Sequence, residues 1–288
     1  MKNNISYIIT TFLLLFFSFL LGYLSSFSAV NNLFESIIIK SLVLIFSIQF
    51  LVFIPSFIFK TEHYFDLTGG ISFILVIFYA LYDQINILGF IDFRSLILSI
   101  FIIVWSSRLS LFLFFRVKKS GDIRFVEIKK SFLKFLRAWV FQGWWVFTCT
   151  LPVLIVLSNK PLNSDYLLYL GIILWIFGFL FEIVADKQKS NFNKLNKGKF
   201  ISSGLWSISR HPNYFGELTL WLGITIGSLS SFSGFQFIAF LSPITIYLLL
   251  NYVSGVNLLE DLAEKRWGKD PKYIKYKNDT PVIFPKIF

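Results

Sequence analysis

The sequence predicts an all-α fold: a polytopic membrane helix bundle of about eight transmembrane helices with both termini cytoplasmic. Three observations lead there. Of the 288 residues, 56% are hydrophobic and only 15% charged, with a mean hydropathy of +0.70, whereas a soluble domain carries roughly 25% charge. The 37 Phe residues exceed what one aqueous core of this size buries, so lipid must act as solvent for many of them. Apolar runs of span length alternate with short connections that are by turns rich and poor in Lys and Arg.

In order, the runs are 5–28, 36–59, 70–90, 95–115, 138–158, 166–185, 214–231 and 235–254. The first also reads as a signal peptide, with Lys2 as its charged start and Ser26-Phe27-Ser28-Ala29 near a cleavage site. Its apolar stretch is longer than the roughly 7–15 residues of a signal core, which favours a retained span. Lys40 lies near the outer end of the second run and can snorkel. Arg108 sits about two turns inside the cytoplasmic end marked by Arg116 and faces either a polar cavity or the headgroups. The sixth run closes on Glu182 and Asp186, one turn apart on one face, read either as a solvated helix end or as part of a site.

Connection charge orients the bundle. Segments 116–130 and 186–213 carry six Lys or Arg each and the tail 256–288 carries seven. Connections 29–35 and 232–234 carry none, while 83–94 and 159–165 carry one each. Eight spans with the N-terminus inside put every rich segment in the cytoplasm. No repeat or long linker divides the chain, so residues 1–288 read as one membrane domain. The net charge of +11 is spread over these connections rather than over one soluble face, which argues against nucleic acid. A lone Cys149 excludes an internal disulfide or thiolate cluster, and two histidines, His63 and His211, make a metal site unexpected. No obligate protein partner is implied.

The densest polar cluster is Gly204-Leu-Trp-Ser-Ile-Ser-Arg-His-Pro-Asn-Tyr-Phe-Gly-Glu217. Pro212 suits a first helical turn, so the seventh span begins near His211. Arg210 and His211 then stand at a helix N-terminus, where free N–H groups and the dipole attract anions, and form a candidate phosphate cradle. Asn213, Tyr214 and Glu217 fall on one face of the following turns. Tyr214 is the candidate proton donor, with Glu217 beside it as the second candidate catalytic group. Trp206 belongs to the same cluster. The tail opens as an amphipathic helix on Leu258, Leu259, Leu262 and Ala263, stopped by Gly268 and Pro271. Beyond it, Tyr273 and Tyr276 with Lys272, Lys275 and Lys277 either rest on anionic lipid or cover a nucleotide's phosphates.

The 204–217 stretch resembles the signature of the membrane steroid 5-alpha-reductase-like family, closest to its bacterial-type branch. Further agreement comes in order: Ser107-Arg108-Leu109 with Leu113-Phe-Phe-Arg116, Gly121-Asp-Ile-Arg-Phe125, Phe181-Glu182 with Ala185-Asp-Lys-Gln-Lys189, Val253-Ser-Gly-Val256 with Leu259-Glu260, then Tyr273, Tyr276 and Pro285. The resemblance covers roughly 70–288 and leaves 1–69 less family-like. It implies an integral protein of a bacterial inner membrane or endoplasmic reticulum that binds NADPH from the cytoplasm and reduces a lipophilic conjugated C=C bond. By that resemblance Arg210, His211, Asn213, Tyr214 and Asp186 contact the cofactor, with Arg108, Asp122 and Arg124 also at the site. Glu182, Trp206, Tyr273 and Tyr276 complete the cofactor set. The lipophilic substrate would lie among the aromatic N-terminal spans.

Two alternatives stand beside this. Isoprenylcysteine carboxyl methyltransferases share an Arg-His-Pro-x-Tyr stretch before a span and use S-adenosylmethionine. A transporter or non-catalytic membrane protein is the third reading, although transporters tend to show repeated halves and broken helices that this sequence lacks.

Overall fold

The computed structural model describes residues 2–26, 36–253 and 255–286. Its regular elements are helices: α1 (Lys2–Ser26), α2 (Ile37–Ile58), α3 (Phe65–Leu88), α4 (Phe93–Ser120), α5 (Phe132–Ser158), α6 (Tyr166–Leu195), α7 (Pro212–Ser228), α8 (Leu241–Leu248), α9 (Val256–Trp267) and α10 (Pro271–Asp279). Short 3-10 turns and one π turn, Leu249–Val253, link them. No strand occurs among the described residues. The all-helical membrane architecture predicted from composition is therefore what the chain adopts.

Seven stretches among the described residues are long and apolar enough to cross a membrane, namely α1 to α6 and Gly234–Trp267. The sequence predicts an eighth at 214–231. There α7 has 17 residues, about 26 Å of helix, at the short end of the roughly 17–25 residues that cross a bilayer. Leu229–Ser231 continues it only as a tighter 3-10 turn. Pro212 does open α7, and α9 ends at Gly268 as its sequence pattern implies. Most of the alternative cleavage site and of the connection 29–35, and also Ser254, lie outside the described residues.

The chain forms two compact units, Met1–Leu168 with Gly227–Ser242, and Tyr169–Ile226 with Pro243–Phe288. In the first, α5 is central: 83% of its span-length window is buried against 17% for α1. It packs on α1, α2, α3 and α4. Leu151–Leu157 are all buried, as expected of a helix that is apolar on every side. Gly143 lets α2 approach, since a Cβ there would stand 2.8 Å from Phe46 Cε1.

Polar side chains inside this unit find one another, because hydrocarbon offers no water to replace a lost partner. Gln49 Nε2 donates to Ser72 Oγ at 3.0 Å and Gln84 Nε2 to Ser95 Oγ at 3.0 Å. Asn159 Nδ2 donates to Gln236 Oε1 at 2.8 Å. Arg94, 1% exposed, donates to Asp165 Oδ2 at 2.6 Å and to the Asn163 carbonyl at 3.2 Å. Burial alone would raise the Asp165 pKa, but hydrogen bonds from Ser230 and Arg94 hold it at about 2, below its ordinary 3.8.

The second unit is built on α6 and α7. A Cβ at Gly178 would stand 2.5 Å from Leu220 N, and one at Gly216 2.6 Å from Glu182 N. Only glycine permits these two backbones to cross so closely, and the crossing sets where the start of α7 lies along α6. The C-terminal strip 281–286 then pairs with 208–211: Arg210 N–H donates to the Pro281 carbonyl at 2.9 Å, His211 N–H to Val282 at 2.9 Å and Lys286 N–H to Ile208 at 2.9 Å.

Replacing Asp165 by Asn leaves the buried Arg94 without its anion. A loss of roughly 1.5–3 kcal/mol is expected, read as a lower unfolding midpoint in detergent. Because the Asp165 carboxyl is depressed from 3.8 to about 2, the wild-type advantage is complete above pH 3.8 and fades as pH falls toward 2. An Asp165→Asn protein as stable as wild type at pH 7 overturns this account.

Candidate functional site

Within the second unit a cavity of about 470 Å³ opens among the last turns of α6, the segment 197–211, α9 and α10. Its volume lies in the range of small-molecule sites, roughly 300–1,000 Å³. Each wall follows from local sequence. Because α6 runs on to Leu195, Lys189 and Asn193 stand one turn apart on the cavity side. Gly198 and Gly204 take φ of 80° and 63°, which turn the chain back toward α6 without a Cβ penalty. At Gly204 a Cβ would lie 2.7 Å from Gln188 Oε1, and that oxygen accepts from Leu205 N–H at 2.9 Å.

Trp206 is buried at the base. Its Nε1–H donates to the Ala185 carbonyl at 3.1 Å, and Lys189 Nζ lies 4.5 Å from its ring centroid. Its own carbonyl accepts from the Tyr276 hydroxyl at 2.7 Å. Phe200 stacks on Tyr276 at 5.6 Å and meets Tyr273 and Trp267 at 5.3 and 5.9 Å. Trp267 is tied to the Gly198 carbonyl at 2.7 Å. These rings form one aromatic wall.

Charge is concentrated opposite. Glu260 of α9 receives Arg210 Nη1 on one oxygen and His211 Nε2, at 2.9 Å, on the other. His211 also stacks on Tyr214, ring centroids 5.3 Å apart. Burial pushes the His211 pKa below its ordinary value, more than Glu260 raises it, so the imidazole is neutral at pH 7 and its Nε2 carries the proton that Glu260 accepts. Burial also raises the Tyr273 and Tyr276 phenols above their usual range. Both are protonated at neutral pH and act as donors. The cavity lining carries five cations, Lys189, Lys197, Lys199, Arg210 and Arg266, against the single carboxylate of Glu260. Arg210 Nε, His211 Nδ1 and Asn213 Oδ1 stay buried with no protein partner.

The site residues predicted from sequence separate into two groups. Trp206, Arg210, His211, Tyr273 and Tyr276 line this cavity. Glu182, Asp186, Asn213, Tyr214 and Glu217 belong to the same unit but are not among its lining residues; Glu182 and Glu217 are buried, 2% and 9% exposed. Arg108, Asp122 and Arg124 belong to the first unit. There Arg124 clasps Asp122, with Nε donating to Oδ1 and Oδ2 at 3.0 and 2.9 Å. Partial burial would raise the Asp122 carboxyl, and the Arg124 pair more than offsets this, leaving its pKa lowered. The neighbouring Glu62, bonded to Lys129, is likewise lowered against its burial.

Sequence reasoning did not assign Glu260 as the partner of Arg210 and His211. Its signal was faint: a carboxylate at the start of an amphipathic helix, 49 residues beyond His211. Phe200 and Trp267 were also passed over, since single aromatics abound in this chain.

The helices and this cavity define an integral, polytopic helical membrane protein with a cationic, aromatic-walled pocket. The chain belongs to the DUF1295 family, described as a protein of unknown function, which it matches over residues 50–280. It is 30% identical over 97 residues to the Arabidopsis thaliana protein named Delta(14)-sterol reductase, an alignment covering 30% of this chain and 24% of the plant protein. No solved structure matches.

Since His211 has a pKa below 6.5 in the folded state, acid favours the unfolded chain. Its contribution to stability is intact above pH 6.5 and declines as pH falls through the depressed value. Thermal midpoints in detergent between pH 7.5 and 5.5 are expected to fall less for His211→Gln than for wild type. Equal slopes would show that His211 is not the titrating group.

Proposed function

We propose that the chain is a membrane-embedded, NADPH-dependent reductase of a lipophilic C=C bond conjugated to a carbonyl, with its cofactor cavity facing the cytoplasm. The observation that carries this reading is the cavity lining: five cations against one carboxylate that is already committed to Arg210 and His211, with a wall of flat rings. That combination suits a ligand that joins several phosphates to aromatic bases. The unpartnered Arg210 Nε is a further group on the lining that a polar cofactor would satisfy. The similarity to a plant protein named as a sterol reductase supports reduction and a rigid apolar substrate. The cavity is formed by the Lys- and Arg-rich segments 186–213 and 256–288, which supports a cytoplasmic opening.

NADPH, when bound, supplies a hydride to the carbon β to the carbonyl. Lys189, Lys197, Lys199 and Arg266 neutralise its phosphates, while Phe200 and Tyr276 receive a planar ring. Glu260 holds Arg210 and His211 in place, while burial keeps the imidazole neutral. Tyr214, fixed against His211, is assigned the proton for the α carbon, and Glu217, one turn further along α7, stands beside it. Neither Arg108, Asp122 nor Arg124 is given a part in this cavity.

S-adenosylmethionine fits the lining less well. It carries a sulfonium cation and no phosphate, and Glu260 has no unshared carboxylate oxygen to offer it. Transport is disfavoured because the polar cavity lies in one unit and has no counterpart repeated in sequence.

The test is binding by the detergent-solubilised protein of NADPH, NADH and S-adenosylmethionine. NADPH is expected to bind most tightly. Arg210→Ala should weaken it roughly tenfold to a hundredfold, the size of a lost charge-assisted hydrogen bond. Tyr214→Phe should bind it nearly normally but lose about 10²–10⁴ in turnover of an apolar enone. Binding of S-adenosylmethionine without NADPH overturns the proposal.

A further inference from the structure

The first unit holds a second, smaller cavity of about 50 Å³ among α3, α4 and α5. Phe73, Trp105 and Trp145 form a three-ring box around it, with centroid separations of 5.3 to 6.2 Å. Asp66, Ser106, Ser110 and Gln142 bring polar atoms to the same lining. An apolar box inside a membrane helix bundle gains nothing from four such residues unless a polar group enters it.

Gln142 and Trp145, both on the lining, are incomplete in a complementary way. Gln142, 4% exposed, donates through Nε2 to the Phe65 carbonyl at 3.0 Å, which identifies the other atom as the carbonyl oxygen. That Oε1 is buried with no protein partner, and so is Trp145 Nε1–H. An acceptor and a donor of complementary kind therefore go unanswered at a single cavity. Leaving each so costs about 1–3 kcal/mol, and the described residues supply nothing to relieve it. Ser106 and Ser110 already donate to the backbone of their own helix and so offer only lone pairs.

We propose that this cavity binds the hydroxyl end of a lipid-soluble alcohol, which donates to Gln142 Oε1 and accepts from Trp145 Nε1–H. A hydroxyl has one donor and two lone pairs and answers both groups. A ketone or aldehyde oxygen answers only the indole and leaves Gln142 Oε1 unpaired, so the site discriminates alcohol from carbonyl. The volume takes the hydroxyl and the few atoms next to it, since one water already occupies about 30 Å³. The body of the molecule lies outside, beyond Leu109 and Leu113, both partly exposed and both on the lining. The site needs no nucleotide and stands independently of the reductase reading.

The experiment is photolabelling of the full chain in lipid nanodiscs with hexadecan-1-ol carrying a diazirine at its second carbon. The matched probe has an aldehyde in place of the alcohol. The alcohol probe is expected to label peptides containing residues 66–73, 105–113 or 142–145, and excess unlabelled hexadecan-1-ol should suppress this. Trp145→Phe removes the indole N–H, and Gln142→Leu removes Oε1 together with the Nε2 donor to the Phe65 carbonyl; each should lower labelling roughly tenfold, about 1.4 kcal/mol apiece. An unchanged unfolding midpoint in Trp145→Phe, and unchanged NADPH binding in both variants, would show that neither global misfolding nor the other cavity is responsible. Equal labelling by alcohol and aldehyde, insensitivity to both variants, or no label at these peptides would each overturn the proposal and leave ordered water as the occupant.

Discussion

Hydrocarbon has no hydrogen bonds to offer, and that constraint shapes this protein from its backbone outward. Each peptide group in a span must bond within its own segment, which leaves helices as the available element. The same constraint then acts on side chains. Gln49 finds Ser72, Gln84 finds Ser95, and Arg94 finds Asp165 because an unmatched polar group costs more here than in water. Polar atoms that remain unmatched in such surroundings, as at Gln142 and Trp145, are for that reason informative.

Glu260 organises the larger cavity in a comparable way. One carboxylate anchors both Arg210 and His211, so two residues at the start of α7 are held by a helix far along the chain. Burial, with the charges of Lys189 and Arg210, keeps His211 neutral even though Glu260 pulls its pKa upward. The pairing also consumes the one negative charge of the lining, so the remaining cations set the sign of the cavity. Ordering through a shared carboxylate gives geometric definition as well as attraction.

Backbone proximity does the rest. The α6–α7 crossing at Gly178 and Gly216 has no room for a Cβ, and the strip 281–286 bonds to 208–211 through the main chain. Neither depends on the chemistry of the site, yet together they place Trp206, Arg210 and Tyr276 around one space. A cavity built this way is supported by elements whose own packing is tight, which suits a site that must hold a ligand in one orientation.

Membrane class, helical content and most of the helix positions were legible in the sequence, because run length and composition respond directly to the thickness and chemistry of a bilayer. The start of α7 at Pro212 and the end of α9 at Gly268 were legible for a similar reason: proline and glycine act locally on φ and on the N–H group. The polar character of 204–217 and the basic character of the tail could be read too, and Arg210 and His211 with them. What composition could not decide was pairing. Where the α-helix of the 214–231 run stops, after 17 residues, was one such outcome. The partner of Arg210 turned on a carboxylate 50 residues away. Those outcomes depend on contacts between distant segments, and a contact depends on side-chain shape and helix crossing, for which a single sequence carries no local signal.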